Sequence, residues 1–320
     1  MKAKTILLCL FTLMQVLFLK AGNDTLSSET NISLETAGGK IRGCIAVPQK
    51  SVPVPVVLII AGSGPTDRDG NNPVMKNNSL KLIAAGLFRN NIASLRYDKR
   101  GIAESRDAAK EEKNMRFDDL VKDAEDWIKL LKADKRFSKV YVAGHSEGSL
   151  IGMIAAKNAG ADGYISIAGA GHPADVILKE QLKSQPEMVR NMCYPIIDSL
   201  KKGKLVDSVP LMLYSLFRPD VQPYMISWFR YDPQAEIRKL TIPVLILQGT
   251  TDIQVSAEDA QALFNANMKS EYHLIKGMNH VLKDAEADRQ KNIATYSDPD
   301  LPIKAELMSD IIGFIQSQKP

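Results

Sequence analysis

A serine, an aspartate and a histidine in this chain stand in contexts that together could break an acyl bond. Ser146 is the centre of Gly144-His145-Ser146-Glu147-Gly148, with the β-branched run Val140-Tyr-Val-Ala before it and an Ala-rich helical pattern from Leu150 to Ala159 after it. A strand-to-helix turn this tight strains its central residue, and glycine two places before and after lets the two elements approach. The hydroxyl would then sit at a helix N-terminus, where unpaired backbone N–H groups favour developing negative charge. The bare five-residue pattern is common by chance and could be an ordinary turn; the strand before it and the helix after it give it weight.

A serine hydroxyl is a weak nucleophile until a base takes its proton and a third group orients that base. Asp252 closes Gln248-Gly-Thr-Thr-Asp252, directly after the buried-strand pattern Val244 to Leu247. His280 closes Lys276-Gly-Met-Asn-His280, directly after a second strand pattern, Tyr272 to Ile275. The chain has 4 histidines. His145 is pinned beside Ser146 with its ring expected to point elsewhere, and His273 lies inside a strand, where a packed core role is expected. His172 follows a strand near the same edge, but it precedes Asp252 and no acid pairs with it in the sequence pattern. The bland alternative for Asp252 is a turn residue or a cap ahead of the helix starting near Ala257. A tetrahedral oxyanion would need two preorganised donors: the Glu147 backbone N–H, and one from Ala61-Gly-Ser-Gly64, for which Ser63 is the choice. Each such donor lowers a barrier by roughly 2.7 to 4 kcal/mol. Gly62, Gly64 and His172 are the expected substrate contacts, with a plain glycine turn as the alternative for the loop.

These residues need strands to carry them. Asn31 to Thr36 and Lys40 to Val47 alternate around Ala37-Gly38-Gly39, predicting an N-terminal antiparallel hairpin. Val56 to Ile60 is apolar on both faces and belongs in mid-sheet; Ile92 to Tyr97 and Tyr164 to Ala168 read likewise. Helices are predicted from Leu80 to Arg89, Phe117 to Ala133, Ala257 to Asn265 and Lys304 to Gln316. The alternation implies an α/β fold with one doubly wound, mostly parallel sheet. The interval of about 172–239 breaks it. Rich in Met188, Met192, Met212, Tyr214, Phe217, Tyr224 and Trp228, it is expected to form short helices inserted as a cap, most of those residues simply docking it on the core.

Composition bounds the rest. The chain has 320 residues, 45% hydrophobic, with 41 Lys+Arg against 37 Asp+Glu, enough for a large core. Residues 1–22 resemble a secretory signal peptide: Lys2 and Lys4 precede an apolar run from Ile6 to Leu19 that is shorter than the ~18 residues of a membrane span. An uncleaved anchor is the alternative, because Lys20 interrupts the small-residue cleavage pattern. Export, to a periplasm or beyond the cell, is therefore expected, with residues 23–320 as the mature protein and a start near Ala21 to Asn23. Its basic residues are scattered without interleaved aromatics, which points away from nucleic acid. Cys44 and Cys193 lie far apart in apolar contexts; buried free thiols are expected in preference to a disulfide.

Taken together, Gly62-Ser-Gly-Pro-Thr-Asp-Arg-Asp-Gly70, Leu95-Arg-Tyr-Asp-Lys-Arg-Gly101, Gly144-His-Ser-Glu-Gly148, Gln248-Gly-Thr-Thr-Asp252 and Gly277-Met-Asn-His280 resemble the bacterial α/β-hydrolase family of carboxylesterases and serine aminopeptidase-like hydrolases. The order Ser146, Asp252, His280 is that of the α/β-hydrolase fold. The resemblance runs from about Asn31 onward and implies a Ser-Asp-His triad on those residues, with no metal and no cofactor. It departs at Ala61, where many relatives carry histidine; the donor there is a backbone group, so the change touches loop packing. Asp67-Arg-Asp-Gly-Asn71 looks like the start of a calcium loop but lacks its spacing and closing glutamate. Gly169-Ala-Gly-His-Pro-Ala174 matches a dinucleotide fingerprint only formally. The expected activity is hydrolysis of a small-molecule carboxylic ester with a small or medium acyl group through an acyl-Ser146 intermediate. An aminopeptidase or thioesterase on the same residues, and a silent binder of apolar ligands, remain as alternatives.

Overall fold

The computed structural model describes residues 29–109 and 111–318, so the leader-like segment 1–22 lies outside the described residues. Eight strands form one sheet: β1 (Glu29–Thr36), β2 (Gly39–Ala46), β3 (Val54–Ile60), β4 (Ala93–Tyr97), β5 (Phe137–His145), β6 (Gly163–Ile167), β7 (Val244–Gly249) and β8 (Glu271–Ile275), in the spatial order β1-β2-β4-β3-β5-β6-β7-β8. Pairings β1–β2 and β2–β4 are antiparallel, as the hairpin pattern predicts, and those from β4 through β8 are parallel.

Eleven α-helices follow in chain order among the described residues: α1 (Ser79–Arg89), α2 (Phe117–Ala133), α3 (Glu147–Ala159), α4 (Ala174–Leu182), α5 (Glu187–Lys201), α6 (Tyr214–Phe217), α7 (Gln222–Trp228), α8 (Pro233–Ile237), α9 (Ala257–Ala266), α10 (Arg289–Ala294) and α11 (Ala305–Ser317). The two-residue period of a strand sorts β3 between two layers. Val56, Leu58 and Ile60 join Trp127 and Ile128 of α2 and Ile151 of α3. Val57 and Ile59 join Leu80 and Ile83 of α1 and Ile311 and Phe314 of α11. A strand covered on both faces has no polar side, and this is why its sequence is a continuous apolar run. Residue by residue, α2 is the helix predicted; α10 carries too short an apolar pattern to announce itself.

Edge position corrects one expectation. β8 pairs only with β7, and His273 on it is not core: its side chain is 44% exposed and its Nδ1 lies 3.0 Å from Asp310 Oδ2. Cys44 and Cys193 are buried free thiols, as the sequence implies, and burial pushes both above the usual thiol range.

Between β6 and β7 the chain forms α4 to α8, the helices expected of interval 172–239. They do more than dock. Cys193, Ile196, Ile197, Leu200, Leu213, Phe217, Met225 and Phe229 close a small apolar core of their own, while Met188, Met212 and Tyr214 stay exposed. Docking on the sheet domain runs through the start of α2: Phe117 stacks on Trp228 at 6.2 Å and 7°, and its N–H donates to Ser227 Oγ at 2.7 Å. Among the described residues no helix is long and apolar enough to cross a membrane.

Candidate active site

At the carboxyl ends of β3, β5, β7 and β8 four loops converge. Ser146 has φ 54° and ψ −121°, a conformation L-residues avoid, between the end of β5 and the first residue of α3. Both flanking glycines are required sterically. A Cβ on Gly144 would stand 2.1 Å from the Gly148 carbonyl oxygen, and one on Gly148 would stand 2.4 Å from that of Ile60. The second approach presses α3 against the end of β3, so the Glu147 N–H and the Gly62–Ser63 segment become neighbours. Gly62 itself is so close that a Cβ there would lie 3.1 Å from Ser146 Cβ.

Asp252 and His280 meet. His280 Nδ1 lies 2.8 Å from Asp252 Oδ2, with side chains only 6% and 1% exposed. The carboxylate is held from every side: Oδ1 accepts the N–H groups of Gln254 at 2.8 Å and Val255 at 3.0 Å, and Oδ2 also accepts Gln248 Nε2 at 3.1 Å. Burial alone would raise the Asp252 pKa. The His280 ring and these hydrogen bonds outweigh it, leaving the group below the usual carboxylate range. The loops carrying the two residues are tied by Thr251 N–H donating to the Met278 carbonyl at 3.1 Å and Gly277 N–H donating to Thr250 Oγ1 at 2.8 Å. Gly249 is the point of closest approach, since a Cβ there would lie 1.9 Å from that Met278 oxygen.

His145 is the brace between Ser146 and His280. Its Nε2 lies 2.8 Å from the His280 carbonyl oxygen and its ring centroid 4.9 Å from that of His280. Burial, and then the nearby His280, push its pKa down to about 3. The ring is therefore neutral, and Nε2–H is the donor to the carbonyl. Sequence reasoning turned this side chain away from the hydroxyl but gave it no task.

Ser63, Gly64, Ser146, Glu147 and His172 line one cavity of about 790 Å³ beneath the cap, together with Leu150, Tyr224 and Trp228. Gly62 is buried behind that wall. His172 does have an acid: its Nδ1 lies 2.9 Å from Asp259 Oδ1, a pairing that crosses from the loop after β6 to α9 and leaves no local trace in the sequence. Asp67, Arg68 and Asp69 brace the neighbouring loop. Asp67 Oδ1 accepts the N–H groups of Asp69 and Asn71, Arg68 meets Asp98 at 2.9 Å, and Asp69 meets Arg96 at 2.9 Å.

One residue at the site, Lys99, has no role in the sequence reading, and the side-chain partners of Glu147 and Tyr224 are not read from it. Lys99 and Glu147 form a buried pair at 2.7 Å, side chains 4% and 3% exposed. Tyr224 of the cap donates its hydroxyl to the other Glu147 oxygen at 2.5 Å. A lysine two residues past a fully buried strand was the available signal. Chemically, a strained hydroxyl, a braced imidazole and a fixed carboxylate at one sheet edge can carry nucleophilic acyl transfer.

The family described as "Serine aminopeptidase, S33" matches residues 77–209. Esterase EstD of Thermotoga maritima is 31% identical over 229 residues, covering 68% of this chain and 52% of that protein. The chain thus spans about half the length of that relative. Est1E of Butyrivibrio proteoclasticus, solved with ferulic acid bound, superposes with a TM-score of 0.59 at 17% identity over 88% of this chain and 99% of that one. The Pyrococcus furiosus esterase Pf2001 gives 0.56 at 13% identity over 91% and 92%. The chain has the α/β-hydrolase fold. The chain gathers its candidate residues at the carboxyl edge of the sheet, beneath an insertion that follows β6.

Proposed function

We propose that this α/β-hydrolase is a serine esterase cleaving small-molecule carboxylic esters with small or medium acyl groups. Ser146 Oγ attacks the ester carbonyl as its proton passes to His280 Nε2, while Asp252 holds the Nδ1–H tautomer and stabilises the imidazolium. The oxyanion is taken by the N–H groups of Ser63 and Glu147. His280 then protonates the leaving alkoxide, an acyl-Ser146 ester remains, and a water activated by the same imidazole releases the acid. The observation that carries this reading is the 2.8 Å contact of His280 Nδ1 with Asp252 Oδ2, in a buried site whose next neighbour is the His145–Ser146 step. No step calls on a metal or cofactor.

The matched family description makes an aminopeptidase the second reading. Recognition of a peptide's α-ammonium needs a free carboxylate, and the two acids lining the cavity are both engaged: Glu147 with Lys99, Glu112 with Arg218. Ester substrates are favoured for that reason. Nitrophenyl acyl esters are expected to turn over, short and medium chains faster than long ones, with aminoacyl nitroanilides left nearly untouched. Dominant turnover of the anilides would replace the esterase reading by the peptidase one. We also propose export, supported by the leader-like composition of residues 1–22; an N-terminus near Ala21 to Asn23 on protein recovered outside the cytoplasm is the expected result.

A further inference from the structure

Lys99 follows β4, Gly62 follows β3 and Glu147 follows β5, and β4-β3-β5 are consecutive in the sheet. One ammonium spans all three strand ends. Lys99 Nζ donates to the Gly62 carbonyl at 2.5 Å and to Glu147 Oε2 at 2.7 Å. The Gly62 carbonyl and the Ser63 N–H belong to one peptide group, and in a trans peptide they point in opposite directions within one plane. No peptide bond among the described residues is cis. Whatever fixes the carbonyl therefore aims the N–H. A cation on the oxygen also draws electron density through the amide and makes the N–H a stronger donor.

The other end of the strut is equally placed. Glu147 supplies the second expected oxyanion donor through its backbone, at the start of α3, while its side chain grips Lys99. Stability alone explains such a pair poorly, because the cost of desolvating two charges commonly cancels their attraction. Tyr224 completes the network from the cap by donating to Glu147 Oε1 at 2.5 Å.

We propose that Lys99 is a positioning residue that fixes the Gly62–Ser63 peptide plane and, through Glu147, the spacing of the two oxyanion donors. This rests on the serine esterase reading. Its effect belongs to the transition state, so Lys99→Met is expected to lower kcat on a nitrophenyl ester about 30- to 300-fold, somewhat less than the outright loss of one oxyanion donor, with KM changed less than about threefold. Affinity for a boronic acid, which forms a tetrahedral adduct on the serine, is expected to fall by a similar factor. Lys99→Arg, which keeps the charge, is expected to regain part of both losses. Because Lys99→Met strands a buried carboxylate and can unfold the chain, the variant Lys99→Met/Glu147→Gln is measured beside it and is expected to show the same selective loss. The idea is overturned if folded variants keep kcat within about threefold of wild type, or lose KM alone. Fluorophosphonate labelling separates the two levels: labelled wild type with fully active Lys99 variants sinks only this assignment, whereas unlabelled, folded wild type sinks the esterase reading and this assignment with it.

Discussion

Of the three histidine–aspartate pairs among the described residues, two stand by the carboxyl ends of the strands, and distance does not tell them apart: 2.8 Å for His280–Asp252 and 2.9 Å for His172–Asp259. Surroundings do. The His280 ring is 6% exposed and its aspartate keeps three further donors. The His172 ring is 43% exposed, and Asp259 is committed elsewhere, accepting from Gly171 N–H and closing the capping box of α9 with Ser256. On the esterase reading proposed above, the first acid serves an imidazole that must hold one tautomer while its charge changes. The second ties the start of the cap to a helix of the main domain. An ion-pair contact acquires a catalytic meaning only when burial and a fixed partner shell restrict the ring to one orientation.

Substitution separates the pairs most strongly. Asp252→Asn is expected to lower kcat about 10⁴-fold by favouring the wrong tautomer, with His280→Ala at least as severe, whereas His172→Ala should stay within about fivefold. Steady-state ester hydrolysis reads all three; a His172→Ala loss matching that of His280→Ala would exchange their roles.

The brace behind His280 gives a pH signature. His145 titrates at about 3 in the fold against an ordinary 6.5. Between these values the unfolded chain binds a proton that the folded chain does not, so stability rises with pH there. The contribution of neutral His145 is complete above the unfolded value and is lost as pH falls toward the folded one, at up to about 1.4 kcal/mol per pH unit. Urea unfolding at pH 4.5 and pH 6 is expected to show this slope in wild type and a shallower one in His145→Asn. Equal slopes would mean that His145 does not remain neutral in the fold.

Asp259→Ala is the smallest effect. Losing the capping box and the Gly171 contact should cost about 1 to 2 kcal/mol of stability, read by urea unfolding, with kcat preserved in the folded fraction.

What could be read from the sequence follows the range of the cause. Ser146, Asp252 and His280 announce themselves because each stands in the loop or turn just past a strand's carboxyl end, and Gly144 and Gly148 mark a local backbone demand that no other residue meets. The sheet was legible too, since Val56 to Ile60 and Val140 to Ala143 are buried on both faces. Pairings across distance were not. Lys99 finds Glu147 48 residues away, His172 finds Asp259 87 residues away, and neither partner alters the local pattern around the other. His273 was misplaced because a short apolar strand reads alike at an edge and at the centre. The cap's inner core escaped for a related reason: residues such as Ile196 and Phe217 pack on one another, and helical spacing alone does not say against what.

The most direct test of the account is covalent. Purified protein treated with a fluorophosphonate should take up one equivalent, the adduct should map to Ser146, and Ser146→Ala should abolish it. Folded wild-type protein that takes up no label, or takes it up equally after Ser146→Ala, would contradict the assignment of Ser146 as the nucleophile.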